Sequence, residues 1–372
     1  MNKYDIAAFI WPSYTGDEER TRIFWPEGYG EWQTVKAMTD KVYDGCRWPR
    51  KPLWGYVNEA DNHVMEMQIE CAKDYGVNVF IYDWYWFDNR PFLENCLNDG
   101  FLKARNNTDM KFYLMWANHN ADHLWDKRNA GEVSEVIWRG TVTPEIFSNI
   151  CDRTIEKYFK KENYYMIDGC PVYMIFDIDN FIRSFSSTEE CKKGIEEFRR
   201  KTREAGFKGL HLQAVHWNGR TYGWLNENDP CNAKTIEEVY GFLGFDSITN
   251  YNWGGSVQLD GDYRMLTDEY IRNITETSEK ISIPFYPNIT VGWDNNVRFK
   301  KFIPGVVKNN TPEAFGEACE KVKKFADESL EKNIMSVPLI TVNSWNEWTE
   351  TSYLEPDDLY GYGYLEKIKE IF

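Results

Sequence analysis

Short apolar runs rich in β-branched and aromatic residues alternate along this chain with longer stretches whose apolar positions recur every three or four residues. The first pattern reads as strands buried on both faces, the second as amphipathic helices. Strands are expected at Ile6–Trp11, Val77–Trp84, Lys111–Ala117, Val172–Asp177, Gly209–His216, Ser247–Tyr251, Phe285–Val291 and Val337–Trp345. Helices are expected at Asn62–Tyr75, Pro91–Ala104, Pro144–Phe159, Thr188–Ala205, Asp262–Lys280 and Thr311–Lys332, with a last one over Leu365–Phe372. Thr143-Pro144-Glu145 and Thr311-Pro312-Glu313 each set an N-cap before a proline suited to the first helical position. No helix stands out after the first strand or after His216, so long irregular connections are expected there.

Repeated strand–helix units, with no repeat, low-complexity tract or linker to divide them, predict an α/β fold. The expected architecture is a (β/α)8 barrel running over residues 1–372 as one domain. No Gly-x-Gly-x-x-Gly follows the first strand, which argues against a dinucleotide-binding sheet.

Barrels of this kind place their chemistry at the C-terminal ends of the strands. Here those ends pair large rings with amides, acids or histidines: Trp11 and Tyr14, Asp83 and Trp86, then Trp116, Asn118 and His119. His216 and Trp217 follow the fifth strand, Tyr251 and Trp253 the sixth, Trp293 and Asp294 the seventh. Asn343, Trp345, Asn346, Trp348 and Tyr353 follow the eighth. Rings offer flat faces to sugar C–H groups, and planar polar groups grip hydroxyls. A core also fills with rings, but each amide or acid buried beside them needs a partner. These residues are therefore candidates for binding a carbohydrate. Glu347 and Glu350 are the candidate catalytic pair. Glycosidic cleavage uses two carboxyl groups, and apolar walls plus a neighbouring carboxylate raise one pKa toward working pH. By spacing alone the two fit a pair of solvated loop glutamates equally well.

The balance of charge narrows the partners. A net charge of −16 repels phosphate backbones and anionic lipid, so neither nucleic acid nor a membrane is expected. The 16 Trp, 23 Tyr and 22 Phe favour a carbohydrate substrate. Eight scattered cysteines without a Cys-x-x-Cys pair, and a start lacking a long apolar region, give reduced thiols in the cytoplasm as the expectation. His119 and His123 stand at i, i+4, a zinc spacing only if helical, and a third ligand is not evident. No metal or cofactor is expected.

The run Asn343-Ser-Trp-Asn-Glu-Trp-Thr-Glu-Thr-Ser-Tyr-Leu-Glu-Pro-Asp357 resembles the Trp-Asn-Glu-Trp-x-Glu-Gly…Leu-Glu-Pro signature of the WbsX-like family, relatives of glycoside hydrolase family 99. Gly30-Glu-Trp-Gln-Thr34, Phe80-Ile-Tyr-Asp-Trp-Tyr-Trp-Phe87, Trp116-Ala-Asn-His119, Ile167-Asp-Gly-Cys-Pro-Val-Tyr173 and Gly292-Trp-Asp-Asn295 match further elements in order. The resemblance implies a (β/α)8 barrel that cleaves internal α-mannosidic bonds with retention and without a metal. It implies that Glu347 takes the proton of the sugar 2-hydroxyl, which attacks the anomeric carbon, and that Glu350 acts as acid and then base. Two departures stand out. Thr351 replaces the usual glycine, with an altered turn as the consequence expected, and Phe9-Ile-Trp-Pro-Ser-Tyr14 replaces Tyr-Tyr-Leu-Pro-Gln-Phe, with a different sugar choice. Many WbsX-like members are labelled glycosyltransferases, so a polysaccharide-building enzyme is the alternative, and a non-catalytic glycan-binding barrel a further one.

Overall fold

The computed structural model describes residues 3–16, 18–38, 41–43, 46–48, 50–218, 229–231, 233 and 235–372, with backbone alone at 41–43 and 46–48. At its centre runs a ring of parallel strands. They are β1 (Asp5–Ile10), β2 (Val79–Phe87), β3 (Lys111–Trp116), β4 (Cys170–Ile175), β5 (His211–Val215), β6 (Ser247–Thr249), β7 (Phe285–Tyr286), β8 (Asn288–Thr290) and β9 (Leu339–Asn343). Each pairs with the next from β1 to β7, while β9 pairs with both β1 and β8. Only Pro287 separates β7 from β8. The chain switches neighbours there, from β6 to β9, and so closes the ring. Proline has no N–H to give a ladder, and Pro287 contributes only its carbonyl, which accepts from the Thr341 amide at 3.0 Å. The eight expected strands are therefore all present, the seventh in two pieces, and the fold is the expected α/β barrel.

Helices wrap the ring, all but α4 where apolar periodicity placed them: α1 (Asn62–Asp74), α2 (Pro144–Thr154), α3 (Thr188–Glu204), α4 (Ile236–Leu243), α5 (Tyr263–Lys280), α6 (Pro312–Glu331) and α7 (Gly363–Ile371). The threonine caps hold: Thr143 Oγ1 accepts from the Ile146 amide and Thr311 Oγ1 from the Ala314 amide, both at 3.3 Å. One expected helix is largely absent. At Pro91–Ala104 the chain first folds back, with Arg90–Phe92 antiparallel to β2, and coils only from Cys96 to Lys103. The cause is the turn Asp88-Asn89, whose φ angles of 53° and 58° suit a two-residue hairpin. Between β1 and α1 the described residues form two short coils, Glu19–Ile23 and Trp32–Lys36, and a strand pair, Lys41–Tyr43 with Cys46–Trp48. After His216, residues 219–228 lie outside the described residues, and α4 beyond them was not expected. Among the described residues no helix is long and apolar enough to cross a membrane, and the seven cysteines with described side chains are free thiols.

Candidate active site

β9 ends at Asn343, and the chain then makes a small hairpin, Asn346–Glu347 against Ser352–Tyr353, around one 3-10 turn at Trp348–Glu350. Trp348 turns away from the barrel axis. Its ring stacks on Tyr353 at 3.8 Å, its Nε1 donates to Glu355 at 2.5 Å, and its amide donates to the Tyr14 hydroxyl at 3.2 Å. Trp345 Nε1 likewise donates to Gln68 at 3.0 Å. With both indoles seated behind the loop, Glu347 and Glu350 face the axis. Thr351 closes the turn at φ 55°, the left-handed conformation that glycine adopts freely and that costs another residue ~1–2 kcal/mol. Its hydroxyl offsets part of that cost by donating to the Asp294 carbonyl at 2.9 Å. Threonine here holds a left-handed conformation that glycine would adopt without that cost.

Asp294 joins this loop to the next. Its amide donates to the Glu350 carbonyl at 2.8 Å, and its carboxylate accepts from the Asn296 amide at 2.9 Å, capping the turn Asn295–Val297. That turn delivers Arg298 into the barrel, where it is 2 % exposed. Arg298 Nη1 donates to Glu350 Oε1 at 2.7 Å and Nη2 to Glu347 Oε1 at 2.9 Å. Nε donates to Glu31 Oε1 at 3.3 Å. Glu31 is fully buried and also accepts from the Trp11 indole N–H. Three carboxyl groups thus converge on one guanidinium.

Beside them opens a hollow of about 200 Å³. Asp83, His119, Tyr251, Arg298, Glu347 and Glu350 supply its polar wall. Trp11, Tyr85, Trp125 and Phe176 supply aromatic faces, with Met115, Ala117 and Leu124 between. Asp83 Oδ1 and Glu350 Oε2 are buried without a hydrogen-bond partner among the described residues. Burial pushes the Glu347 carboxyl well up, and the charge of Glu350 adds to this against the pull of Arg298. Glu350 is also raised by burial, with Arg298 opposing. Burial keeps His119 neutral by lowering its pKa. Its Nδ1 faces the Asn120 carbonyl at 2.9 Å and so carries the hydrogen, leaving Nε2 as an acceptor.

Tyr251 counts the protons. Its hydroxyl oxygen lies 3.1 Å from Asp83 Oδ2 and 3.2 Å from Glu347 Oε2, yet it has one hydrogen to give. Both contacts are full hydrogen bonds when one of the two carboxyls is protonated and donates to it. Asp83 has no cation, and burial, with the charge of Glu350, raises its pKa well above the usual range. The proton is best placed on Asp83, with Tyr251 donating to Glu347.

Of the residues singled out in the sequence, the structure brings Trp11, Asp83, His119, Tyr251, Glu347 and Glu350 to the hollow. The others sit elsewhere, for identifiable reasons. Trp86 and Trp116 point outward because alternate residues of a strand face opposite ways, and Trp116 stacks on Phe147 of α2. Asn118 clamps the backbone of Asp177 through two 2.7 Å bonds. His216 is held between Tyr240 and Asn218, Trp217 packs edge-on against Phe176, and Trp253 stacks on Tyr270. Trp293 packs half-buried on the core, and Asn343 is buried at the end of β9 with neither polar atom partnered. Asn346 grips the Trp11 backbone at 2.8 and 2.9 Å, while Tyr14 and Tyr353 support Trp348. Asp294, as above, is a linchpin between loops. His123 opens a 3-10 turn, so His119 and His123 do not share a helix face, and among the described residues no three His, Cys, Asp or Glu side chains are arranged to hold a metal ion. Sequence reasoning missed Arg298 and Glu31 as site residues. Both lay within or a few residues beyond motifs already noted, Gly30-Glu-Trp and Gly-Trp-Asp-Asn.

Behind the loop a second acid pair is buried. Glu59 accepts from Asn346 Nδ2 at 3.0 Å, and Gln68 Nε2 reaches both Glu59 (3.3 Å) and Glu355 (2.9 Å). Burial raises Glu59 from 4.5 to about 7. The unfolded chain ionises this group from about pH 4.5, the folded chain only near 7, so stability falls as pH rises through that window. The distance between those two values corresponds to about 3 kcal/mol. Glu59→Gln should lose this slope, gaining on the wild type by up to about 3 kcal/mol between pH 5 and pH 8 in urea unfolding. A gap that stays constant with pH would contradict the assignment.

Comparison with known proteins places this geometry in context. The family model described as glycosyltransferase WbsX matches residues 6–368. The protein WxcX of Xanthomonas campestris pv. campestris is 20% identical over 98% of this chain and 49% of its own length, so the chain spans about half the length of the curated relatives it matches. Among solved structures, a GH99 endo-alpha-mannosidase from Bacteroides thetaiotaomicron superposes with a TM-score of 0.60 at 10% identity, covering 100% of this chain and 96% of that one. A glycoside hydrolase-like protein gives 0.59 at 14%, covering 100% and 94%. At these identities the structural likeness is one of fold.

Proposed function

Since this chain belongs to the WbsX family, we propose that it is a retaining glycoside hydrolase acting on an α-mannoside-like linkage in a polysaccharide or oligosaccharide. The observation that carries the reading is the convergence of Glu347 and Glu350 on adjacent nitrogens of Arg298, at the wall of an aromatic hollow. Retention in this reading follows from two successive displacements at one carbon, first by the sugar's own 2-oxygen and then by water. Glu347, as carboxylate, takes the proton of the sugar 2-hydroxyl while that oxygen attacks the anomeric carbon. Glu350, as acid, gives its proton to the departing glycosidic oxygen. Water then attacks the same carbon, losing a proton to Glu350, and the 2-oxygen recovers its proton from Glu347. The pair needs one proton between them at the start, which burial against a single cation favours. Product analysis by NMR on a panel of α-mannans tests the reading. A first-formed product of unchanged anomeric configuration is expected, and an inverted product, or no cleavage of any glycan, would overturn it.

A neutral Asp83 makes a further demand. Asparagine mimics a protonated carboxyl, so Asp83→Asn should keep turnover within about threefold, while Asp83→Leu should lose about tenfold or more by stranding Tyr251. Loss of activity in the Asn variant would mean that Asp83 works ionised. The family description favours a second reading, a glycosyltransferase. Among the described residues the hollow is lined by one cation, Arg298, and three carboxyls already engage it, which disfavours a diphosphate. Thermal stabilisation by nucleotide sugars and not by oligosaccharides would turn the choice.

A further inference from the structure

Tyr85 and Trp86 are neighbours on β2 and face opposite ways, Tyr85 into the hollow beside Glu347 and Trp86 into a second hollow of about 260 Å³ on the other side of the strand. We propose that this outer hollow is a separate carbohydrate-binding site, which holds a neutral glycan beside the mouth of the barrel; it rests on the carbohydrate reading above. The Trp86 ring lines the depression, and its indole N–H is buried with no acceptor among the described residues. Asp88, Asn89, Arg139 and Thr141 also line the hollow, and none of their side chains has a protein partner among the described residues. Asp88 and Arg139 do not pair with each other. An indole ring, an acid, an amide and a guanidinium lining one depression are the set that a sugar satisfies, its C–H face against the ring and its hydroxyls each offering both donor and acceptor.

The walls are built in advance. The Asp88-Asn89 turn is fixed by its hairpin, and Arg20 pins that hairpin by donating to the Phe87 and Pro91 carbonyls at 3.1 and 2.6 Å. On the opposite wall the Gly140 amide donates to Asn120 Oδ1 at 2.9 Å, and a side chain at Gly140 would meet the Asn118 carbonyl at 2.1 Å. Arg139 and Thr141 are thus presented from a backbone that admits only glycine between them. Binding here orders little that is not already ordered.

The test uses the full chain carrying Glu350→Gln, so that glycan binds without turnover, run through native gels containing soluble polymeric α-mannan. Adding Trp86→Phe, which shortens the ring lining the depression, or Arg139→Ala should weaken retention at least about threefold. Trp125→Ala, in the inner hollow, should leave part of the retention in place. If the two outer variants bind as the parent does and only Trp125→Ala weakens retention, the outer site is overturned and the carbohydrate reading stands. If the parent is not retained by mannan or by any other glycan tried, both fall. Trp86→Phe guards against a folding artefact, because its ring still packs on Trp84, 5.7 Å away.

Discussion

Glu350→Gln is expected to lower turnover of a natural glycan by about 10²–10⁴ while leaving the fold intact, the usual contribution of a positioned general acid. The decisive measurement is how the loss depends on the leaving group. A glycosyl fluoride departs without being protonated, so the Glu350→Gln variant should recover much of its first-step rate on that substrate. Glu347→Gln should not recover, because the 2-hydroxyl still has no base. The contrast matters, since the roles rest on position in the motif, while Glu347 is the carboxyl that the other acids push up more strongly. If fluoride rescues Glu347→Gln and not Glu350→Gln, the two roles are exchanged. Equal loss on both substrates for both variants would leave neither as the acid.

Arg298→Met should be the most damaging change to the protein as a whole. Arg298 holds Glu31, Glu347 and Glu350 in a region closed to water, and breaking one partner out of a buried charge cluster costs about 3–5 kcal/mol. The sign with pH follows from linkage. Arg298 lowers the pKa of both catalytic carboxyls, so its removal raises their folded values further above the unfolded 4.5. A raised acid loses stability as pH climbs past its unfolded value, so the variant should fall furthest below the wild type near pH 8 and recover part of the gap near pH 5. Activity should drop at least about a hundredfold, because a neutral Glu347 is no base. Denaturant curves at the two pH values check the first claim. A stability gap that widens toward acid would show that Arg298 does not govern these carboxyls.

Much of the fold was legible because burial on both faces leaves a plain mark, as in Ile6–Ile10 and Val79–Ile81, and because Thr-Pro-Glu caps announce a helix start. Pro91–Ala104 misled because its apolar spacing says nothing of the Asp88-Asn89 turn just before it, where local backbone geometry outweighs periodicity. Within the site, Glu347 and Glu350 were legible as a pair, and Trp11, Asp83, His119 and Tyr251 as strand-end residues. Trp116, Trp253, Trp345 and Trp348 looked the same in the chain and proved to be packing, their N–H groups or faces satisfied by Gln68, Glu355, Asn288 and Phe147.

The order of the strands, most of the helices and the position of the acid pair were written in local pattern, since periodicity, caps and motif spacing act over a few residues. Which ring faces the axis and which faces the helices depends on strand register, and a shift of one residue exchanges them. Arg298 and Glu31, 267 residues apart in the chain, meet at one guanidinium only when the ring closes. The protonation of the acids was likewise decided there, because a carboxyl's charge answers to the water and cations around it in space, and these are set by residues far away in sequence.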